Sequence, residues 1–447
     1  MAVGPPAAQG SGALDKSFGV NGRVLTAPLG LGDASLYPGP QMAPAAGGRT
    51  LVATGREVLR YRPDGSLDPS FGRGGRLAIA IPPGVEFQLA DLAVDSEERI
   101  VIVGSAVHQP PPVEVNYGPV PAGPRYALIV RYLADGRLDP SFGPGAGMVE
   151  TGFGLPLAAP AYGTAPNPPD VTLSGLVIDS HDRIVLSGSY LSSIVACTAT
   201  SLSSMYTGFI ARLSPDGSLD SGFAQGGLRP FPGRNLVAPL AVTRDEALEL
   251  FATRTSACGS SLGFLGRFAA DGSSGGWRRL DFGGILTVDA KDRVLMLGGV
   301  PGGSGRHPSS GVAQVRRYSV DGKIDSSFGR DGKSNLLVPG LRSSLRRLVV
   351  ARDGGVLLVG SHLHPHGHPR GATFMVMRLD REGRWDRAFG PGGRIETRFG
   401  AGSSAVAGDA MIDSRGRLLV VGAATAPSFG TGTGLALARY LVAPPRT

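Results

Sequence analysis

The sequence predicts an all-β chain, a seven-bladed β-propeller built from four-stranded antiparallel blades. Three observations carry this expectation. A phrase of the form Arg-Tyr-x-x-Asp-Gly-x-Leu-Asp-x-Ser-Phe-Gly returns along the whole 447-residue chain. A second phrase, Asp-x-x-x-Arg followed by a β-branched run ending in Gly, returns between its copies. The 69 Gly and 36 Pro punctuate short apolar runs, as turn residues do between strands. Self-similarity at a period of tens of residues marks a repeat architecture, in which each unit buries its apolar face against its neighbours.

The core of the first phrase places an aspartate and, three residues on, a phenylalanine. These pairs are Asp15 and Phe18, Asp68 and Phe71, Asp139 and Phe142, Asp220 and Phe223, Asp325 and Phe328, and Asp386 and Phe389. The aspartates and the Asp-Gly pairs are expected to shape turns, because Asp bonds its own backbone and Gly takes positive φ without cost. The phenylalanines are expected in the core, wedged between blades. Seven arginines belong to the same phrase: Arg60, Arg131, Arg212, Arg267, Arg317, Arg378 and Arg439. They are expected to pair with the repeat aspartates. The fourth unit departs from the pattern, since Asp271 to Trp277 replaces its Ser-Phe-Gly turn.

One unit reads as four strands. In the second these are Leu89 to Val94, Arg99 to Gly104, Tyr126 to Tyr132 and a short strand near Gly147 to Thr151. Runs of this length, rich in Val and Ile and bounded by Asp and Gly, form antiparallel strands. The chain begins with a spare strand at Arg23 to Thr26 and ends after Arg439-Tyr440, one strand short. Pairing the N-terminal strand with the last blade would complete it and remove an exposed edge. Residues 1–12 and 444–447 are expected to be tails around a single domain at 13–443.

These motifs resemble the delta-60 repeat family of bacterial proteins, over about residues 13 to 441. The Leu-Asp-x-Ser-Phe-Gly turn, the Asp-x-x-x-Arg strand pair and the Arg-Tyr-x-x-Asp-Gly turn all match, in order. The strand pattern is also similar to NHL-type propellers, which mostly bind partners and occasionally are lyases or hydrolases. The resemblance implies a β-propeller of exported or surface-associated proteins, with no defined activity, and so transfers no catalytic or cofactor-binding residue.

Charge and composition exclude more than they assign. The net charge is +8, but Arg is spread over the repeats and no basic run is interleaved with stacking aromatics. Nucleic-acid binding is therefore not expected. No apolar run reaches the ~18–20 residues that span a bilayer. Function is expected on the long, irregular segments between second and third strands and between blades: 108–124, 189–207, 254–262, 301–311, 361–371, 30–44 and 152–170.

One of these segments alternates His362, His364, His366 and His368. Imidazole suits Zn, Cu or Ni, so a metal site is one reading and a plain solvated loop the other. His108 and His307 occupy equivalent segments of other blades. Cys197 and Cys258 lie in corresponding segments of adjacent blades; they form a disulfide if their Cα atoms approach within ~7 Å, and are otherwise two separate thiols. Gly259-Ser-Ser-Leu-Gly263 matches Gly-x-Ser-x-Gly, but strands on both sides rule out the strand–turn–helix elbow that this motif requires.

The leading functional expectation is a non-enzymatic, secreted or cell-surface bacterial propeller, monomeric, that binds a protein or surface glycan on its long-loop face. The rivals are a metal-assisted lyase or hydrolase using the His362–His368 segment, and a purely structural repeat module of a surface protein.

Overall fold

A computed structural model describes residues 10–27, 39–108, 124–155, 170–198, 201–255, 261–280, 284–299, 312–337, 343–364, 371–430 and 432–442. It contains seven four-stranded antiparallel sheets, the blades of a seven-bladed β-propeller. Among the described residues helical structure is limited to three short 3₁₀ turns, at Ala46–Gly48, Pro391–Gly393 and Pro427–Phe429. No helix among them is long and apolar enough to cross a membrane.

β1 (Arg23–Thr26) does not belong to the first blade; it is the outer strand of the last. The first blade proper is β2 (Gln41–Ala45), β3 (Arg49–Ala53), β4 (Glu57–Tyr61) and β5 (Arg76–Ala78). The second is β6 (Val85–Val94), β7 (Ile100–His108), β8 (Arg125–Tyr132) and β9 (Met148–Thr151). The third is β10 (Val171–Ile178), β11 (Ile184–Thr198), β12 (Ser201–Leu213) and β13 (Leu228–Phe231). The fourth is β14 (Leu236–Val242), β15 (Leu248–Thr255), β16 (Ser261–Phe268) and β17 (Gly275–Leu280). The fifth is β18 (Gly284–Val288), β19 (Val294–Gly299), β20 (Val312–Tyr318) and β21 (Lys333–Leu337). The sixth is β22 (Ser343–Val350), β23 (Val356–His364), β24 (Gly371–Leu379) and β25 (Arg394–Thr397). The seventh is β26 (Ser404–Ile412), β27 (Leu418–Thr425) and β28 (Gly434–Tyr440), completed by β1. β1 pairs antiparallel with β28, Arg23 opposite Ala438 and Thr26 opposite Leu435, as the spare strand led one to expect.

The chain divides into two compact units. One holds residues 1–54, 59–68 and 289–447; the other holds 55–58 and 69–288. In the first, the core between the sixth and seventh blades gathers Leu357, Val359, Val376, Val420 and Ala436 with Phe389. In the second, Val103, Ile129, Phe142, Leu186 and Phe209 form the corresponding core.

The repeat phrase is a staple between consecutive blades. Phe18, Phe71, Phe142, Phe223, Phe328 and Phe389 are all buried, as expected. The Phe142 ring lies against Gly217 of the next blade's Asp-Gly turn, where an added Cβ would come within 2.9 Å of it. The Phe18 ring meets Gly65, and the Phe328 ring meets Gly383, in the same way. Glycine is required there twice over, by the ring and by a positive φ, +91° at Gly217. The backbone adds a bond: Gly143 N–H donates to Asp216 O at 2.7 Å, and Gly19 N–H to Asp64 O at 2.7 Å.

The Arg-Tyr pair reaches both neighbours because successive strand residues point to opposite faces. Arg317 Nη1 donates to Arg381 O of the following blade at 2.8 Å. Tyr440 Oη donates to Thr397 Oγ1 of the preceding blade at 2.6 Å. Tyr132 Oη accepts from Ala80 N–H of the preceding blade at 2.6 Å. Tyr440 is fully buried, and this desolvation pushes its phenol well above the usual range.

Candidate functional site

The repeat aspartates are structural. Asp139 Oδ2 accepts from Arg131 Nε at 2.8 Å, Asp220 from Arg212 at 2.7 Å, and Asp325 from Arg317 at 2.7 Å. Asp68 takes Arg60 at 3.0 Å, Asp386 faces Arg378 at 3.3 Å, and Asp15 takes Arg439 at 2.9 Å. The other oxygen of Asp139 caps its own turn, accepting from Ser141 N–H and Oγ. The Arg131 guanidinium also lies over the Phe142 ring at 4.4 Å. Five of these carboxylates thus accept a hydrogen bond from the repeat arginine, while Asp386 meets Arg378 at ion-pair range only.

Arg267 departs from this scheme. Its blade lost the repeat aspartate, and it pairs instead with buried Glu249 at 2.5 Å and with Asp245 at 2.9 Å. Trp277, in β17, packs on the preceding blade instead, meeting Phe231 edge-on with centroids 5.0 Å apart.

The second phrase forms a matching set. Arg99 Nε donates to Asp95 at 2.6 Å, Arg183 to Asp179 at 2.6 Å, and Arg417 to Asp413 at 2.8 Å. The sixth blade has Gly355 where this Arg would stand, and Arg378 turns to Asp353 in its place.

The histidine segment is where the structure corrects the sequence reading most. His362 and His364 lie in β23, not in a loop, because β23 keeps its register with β24 as far as His364 opposite Gly371. The next residue in the sequence, Pro365, has no N–H to donate to a further rung. His366 and His368 lie outside the described residues, as does His307. His362 Nδ1 is 3.0 Å from Glu396 Oε1, and His364 Nε2 is 3.6 Å from Glu396 Oε2. The two rings are 4.2 Å apart, centroid to centroid. His364 Nε2 also lies 3.3 Å from Thr373 Oγ1, and Arg394 Nη2 lies 3.5 Å from Glu396 Oε1. Burial, then the charges of His362 and Arg398, push the His364 imidazole below its usual range against the pull of Glu396. Glu396 was not legible beforehand: its partners sit 32 and 34 residues earlier in sequence, and pairing through β24 brings them together.

The second blade repeats half of this arrangement. His108, the last residue of β7 rather than the start of a loop, has Nε2 3.8 Å from Glu150 Oε2 and stacks on Tyr126 at 5.0 Å. Counting from Gly104 and Gly360, His108 stands where His364 stands, but buried Ala106 replaces His362. Asp179, His181 and Glu246 form another group of possible ligands. There Asp179 is already filled by Arg183 and by the N–H groups of His181 and Arg183.

The cysteine pair is only partly within view. Cys197 lies in β11, so the expected loop over 189–207 is mostly strand; Cys258 lies outside the described residues. β11 and β12 pair from Ile184 opposite Leu213 to Thr198 opposite Ser201. The sequence there is rich in Ser and Thr and reads as a loop, but Ile194, Val195 and the threonines are strand formers too. Likewise β15 runs to Thr255 and β16 starts at Ser261, shortening the expected loop at 254–262.

A buried cluster of the first strands centres on Asp409, which stands four residues before Asp413 as Asp91 stands before Asp95. Asp409 accepts from Met42 N–H at 2.9 Å and from Arg347 Nε at 2.5 Å, and Arg347 Nη2 donates to Gln41 Oε1 at 2.6 Å. Its partners come from three blades, with no shared spacing. A cleft of about 490 Å³ lies beside β1, lined by Val20, Arg23, Leu25, Ser66 and Phe399. Asp64 also lines it, and its Oδ1 accepts from Ser66 N–H and Oγ.

Among solved structures, the polysaccharide lyase Uly1 is 9% identical, with 92% of this chain and 91% of that one covered and a TM-score of 0.47. A gluconolactonase from Xanthomonas campestris is 15% identical over 72% and 82%, with a TM-score of 0.35. A protein of unknown function from Bacteroides caccae is 8% identical over 80% and 99%, with a TM-score of 0.37. No curated protein matches the sequence. Residues 46–71, 116–142 and 193–223 match the beta-propeller described as domain of unknown function DUF5122, and over these three stretches the chain is similar to that family.

Proposed function

We propose that this protein is a non-enzymatic propeller that binds a protein or polysaccharide partner, exported or held at a bacterial cell surface, with the β11–β12 ribbon as its main contact. One observation carries the reading. Among the described residues, β11 pairs with β10 only from Ile184 to Tyr190, and β12 pairs with β13 only from Gly208 to Ala211. Beyond those rungs, residues 191–198 and 201–207 pair with each other as a two-stranded ribbon. A ribbon that leaves its sheet offers backbone N–H and C=O groups on both edges, the template for strand addition by a partner. The exported location rests on the delta-60 resemblance.

The test replaces residues 193–203 with Asn-Gly and compares the two proteins on an array of neutral and acidic glycans and in pull-downs from cell-envelope extract. Loss of a specific partner, with an unchanged thermal melt, supports the ribbon as the contact. A partner retained without the ribbon moves the contact elsewhere, and no partner in either screen sinks the binding reading. The enzyme alternative draws on the His362, His364 and Glu396 group. Turnover of an anionic polysaccharide that disappears in Glu396→Gln would favour it.

A further inference from the structure

We propose that His362, His364 and Glu396 form a zinc-class metal site with one coordination position left for an outside ligand. The proposal stands independently of the partner reading. It begins with register. His362 is opposite Thr373, and Met375 is opposite Glu396, so His362, His364, Thr373, Met375 and Glu396 share one face of the sixth blade. The donors therefore sit on two strands, β23 and β25, both paired to β24, a scaffold that holds side chains more tightly than a loop.

The spacing fits a metal. Zinc bonds nitrogen and carboxylate oxygen at about 2.0–2.2 Å, which puts two tetrahedral ligand atoms roughly 3.4 Å apart. His362 Nδ1 lies 3.0 Å from Glu396 Oε1 and His364 Nε2 lies 3.6 Å from Glu396 Oε2, each close to that value. All three donor atoms lie within 4.8 Å of one another. The imidazoles approach through opposite ring nitrogens, Nδ1 of His362 and Nε2 of His364, and each faces its own carboxylate oxygen. Two imidazoles and one carboxylate are a borderline donor set that suits Zn²⁺, and three protein ligands leave a fourth position for water or an anionic oxygen.

The surroundings set the terms. Arg394 competes for Glu396 at 3.5 Å, but its side chain is 38% exposed and has solvent to move into. Arg398 adds a second positive charge near His364. The second blade supplies an internal contrast, since His108 and Glu150 repeat the geometry with alanine in place of the other imidazole.

The experiment titrates the full-length, chelator-treated protein with Co²⁺ and then Zn²⁺, by visible absorption and calorimetry. One equivalent is expected, with the intense d–d bands of four-coordinate Co²⁺ and displacement by Zn²⁺. His364→Ala and Glu396→Gln should each weaken binding by more than the 10–100-fold typical of losing an outer-shell partner, while His108→Ala leaves it unchanged. Glu396→Gln is nearly isosteric, so it carries the test if His364→Ala fails to fold. Absence of binding overturns the proposal. So does affinity that survives Glu396→Gln but vanishes in the His366→Ala, His368→Ala double variant, which would assign capture to the neighbouring histidines.

Discussion

Asp15 and Arg439 form an ion pair, Oδ2 to Nε at 2.9 Å, although they stand 424 positions apart in the sequence. The same carboxylate oxygen accepts from Arg417 Nη1 at 2.9 Å, and the other oxygen accepts from Ser17 N–H and Oγ. One aspartate thus ties the N-terminal turn to β28 and to the turn that leads into β27 of the last blade.

Asp15→Asn should be costly, because it leaves the Arg439 and Arg417 guanidiniums beside a neutral group while the Arg439 side chain is only 4% exposed. Breaking a buried pair from one side costs about 3–5 kcal/mol. A lowered thermal melt by circular dichroism is expected. Asp135→Asn should leave the melt in place, since Asp135 and Arg137 form an exposed pair. Equal effects of the two substitutions would remove the special role of the terminal pair.

Acid should destabilise the fold through these same carboxylates. Burial works to raise Asp15, Asp139 and Asp325, but serine hydrogen bonds and the paired arginines outweigh it and hold all three below the ordinary value of 3.8. A depressed carboxylate contributes its stability above the unfolded-state value and loses it as pH falls through the folded one. The urea midpoint should therefore hold from neutrality to about pH 4 and drop below it. Asp139→Asn should flatten that drop, and a drop of undiminished slope would put the acid sensitivity elsewhere.

Gly217→Ala and Gly145→Ala separate ring contact from backbone strain. Both glycines have φ near +90°, +91° and +94°, but a Cβ at Gly217 meets Phe142 at 2.9 Å while one at Gly145 meets nothing within 4 Å. Both variants bear the left-handed cost of about 1–2 kcal/mol. Gly217→Ala should lose a further ~1–3 kcal/mol to overpacking. Denaturant titration of the two, side by side, reads the difference directly.

Arg267→Met tests the compensation in the fourth blade. It removes the guanidinium from Glu249, whose side chain is 2% exposed. A loss of about 3 kcal/mol is expected. Glu249→Gln in the same chain should recover part of it, because a neutral amide is cheaper to bury than a carboxylate. A double variant no more stable than the single one would show that the pair does not act as a unit.

The sequence by itself determined the strand count, the blade order and the role of β1. Its repeat phrases state them through local signals: turn glycines, β-branched runs and arginines at fixed distance from aspartates. It also marked Phe142 and its counterparts as core, since an aromatic at a fixed place in every unit has one structural task. What it left open was where the variable segments stop being strand. β11 continues to Thr198 and β23 to His364 because cross-strand pairing rewards extension that composition does not announce. The meeting of His362, His364 and Glu396, and of Arg347 with Asp409, was decided by tertiary structure alone. Each depends on register across paired strands or on neighbouring blades, and those distances have no period to be read in a single chain.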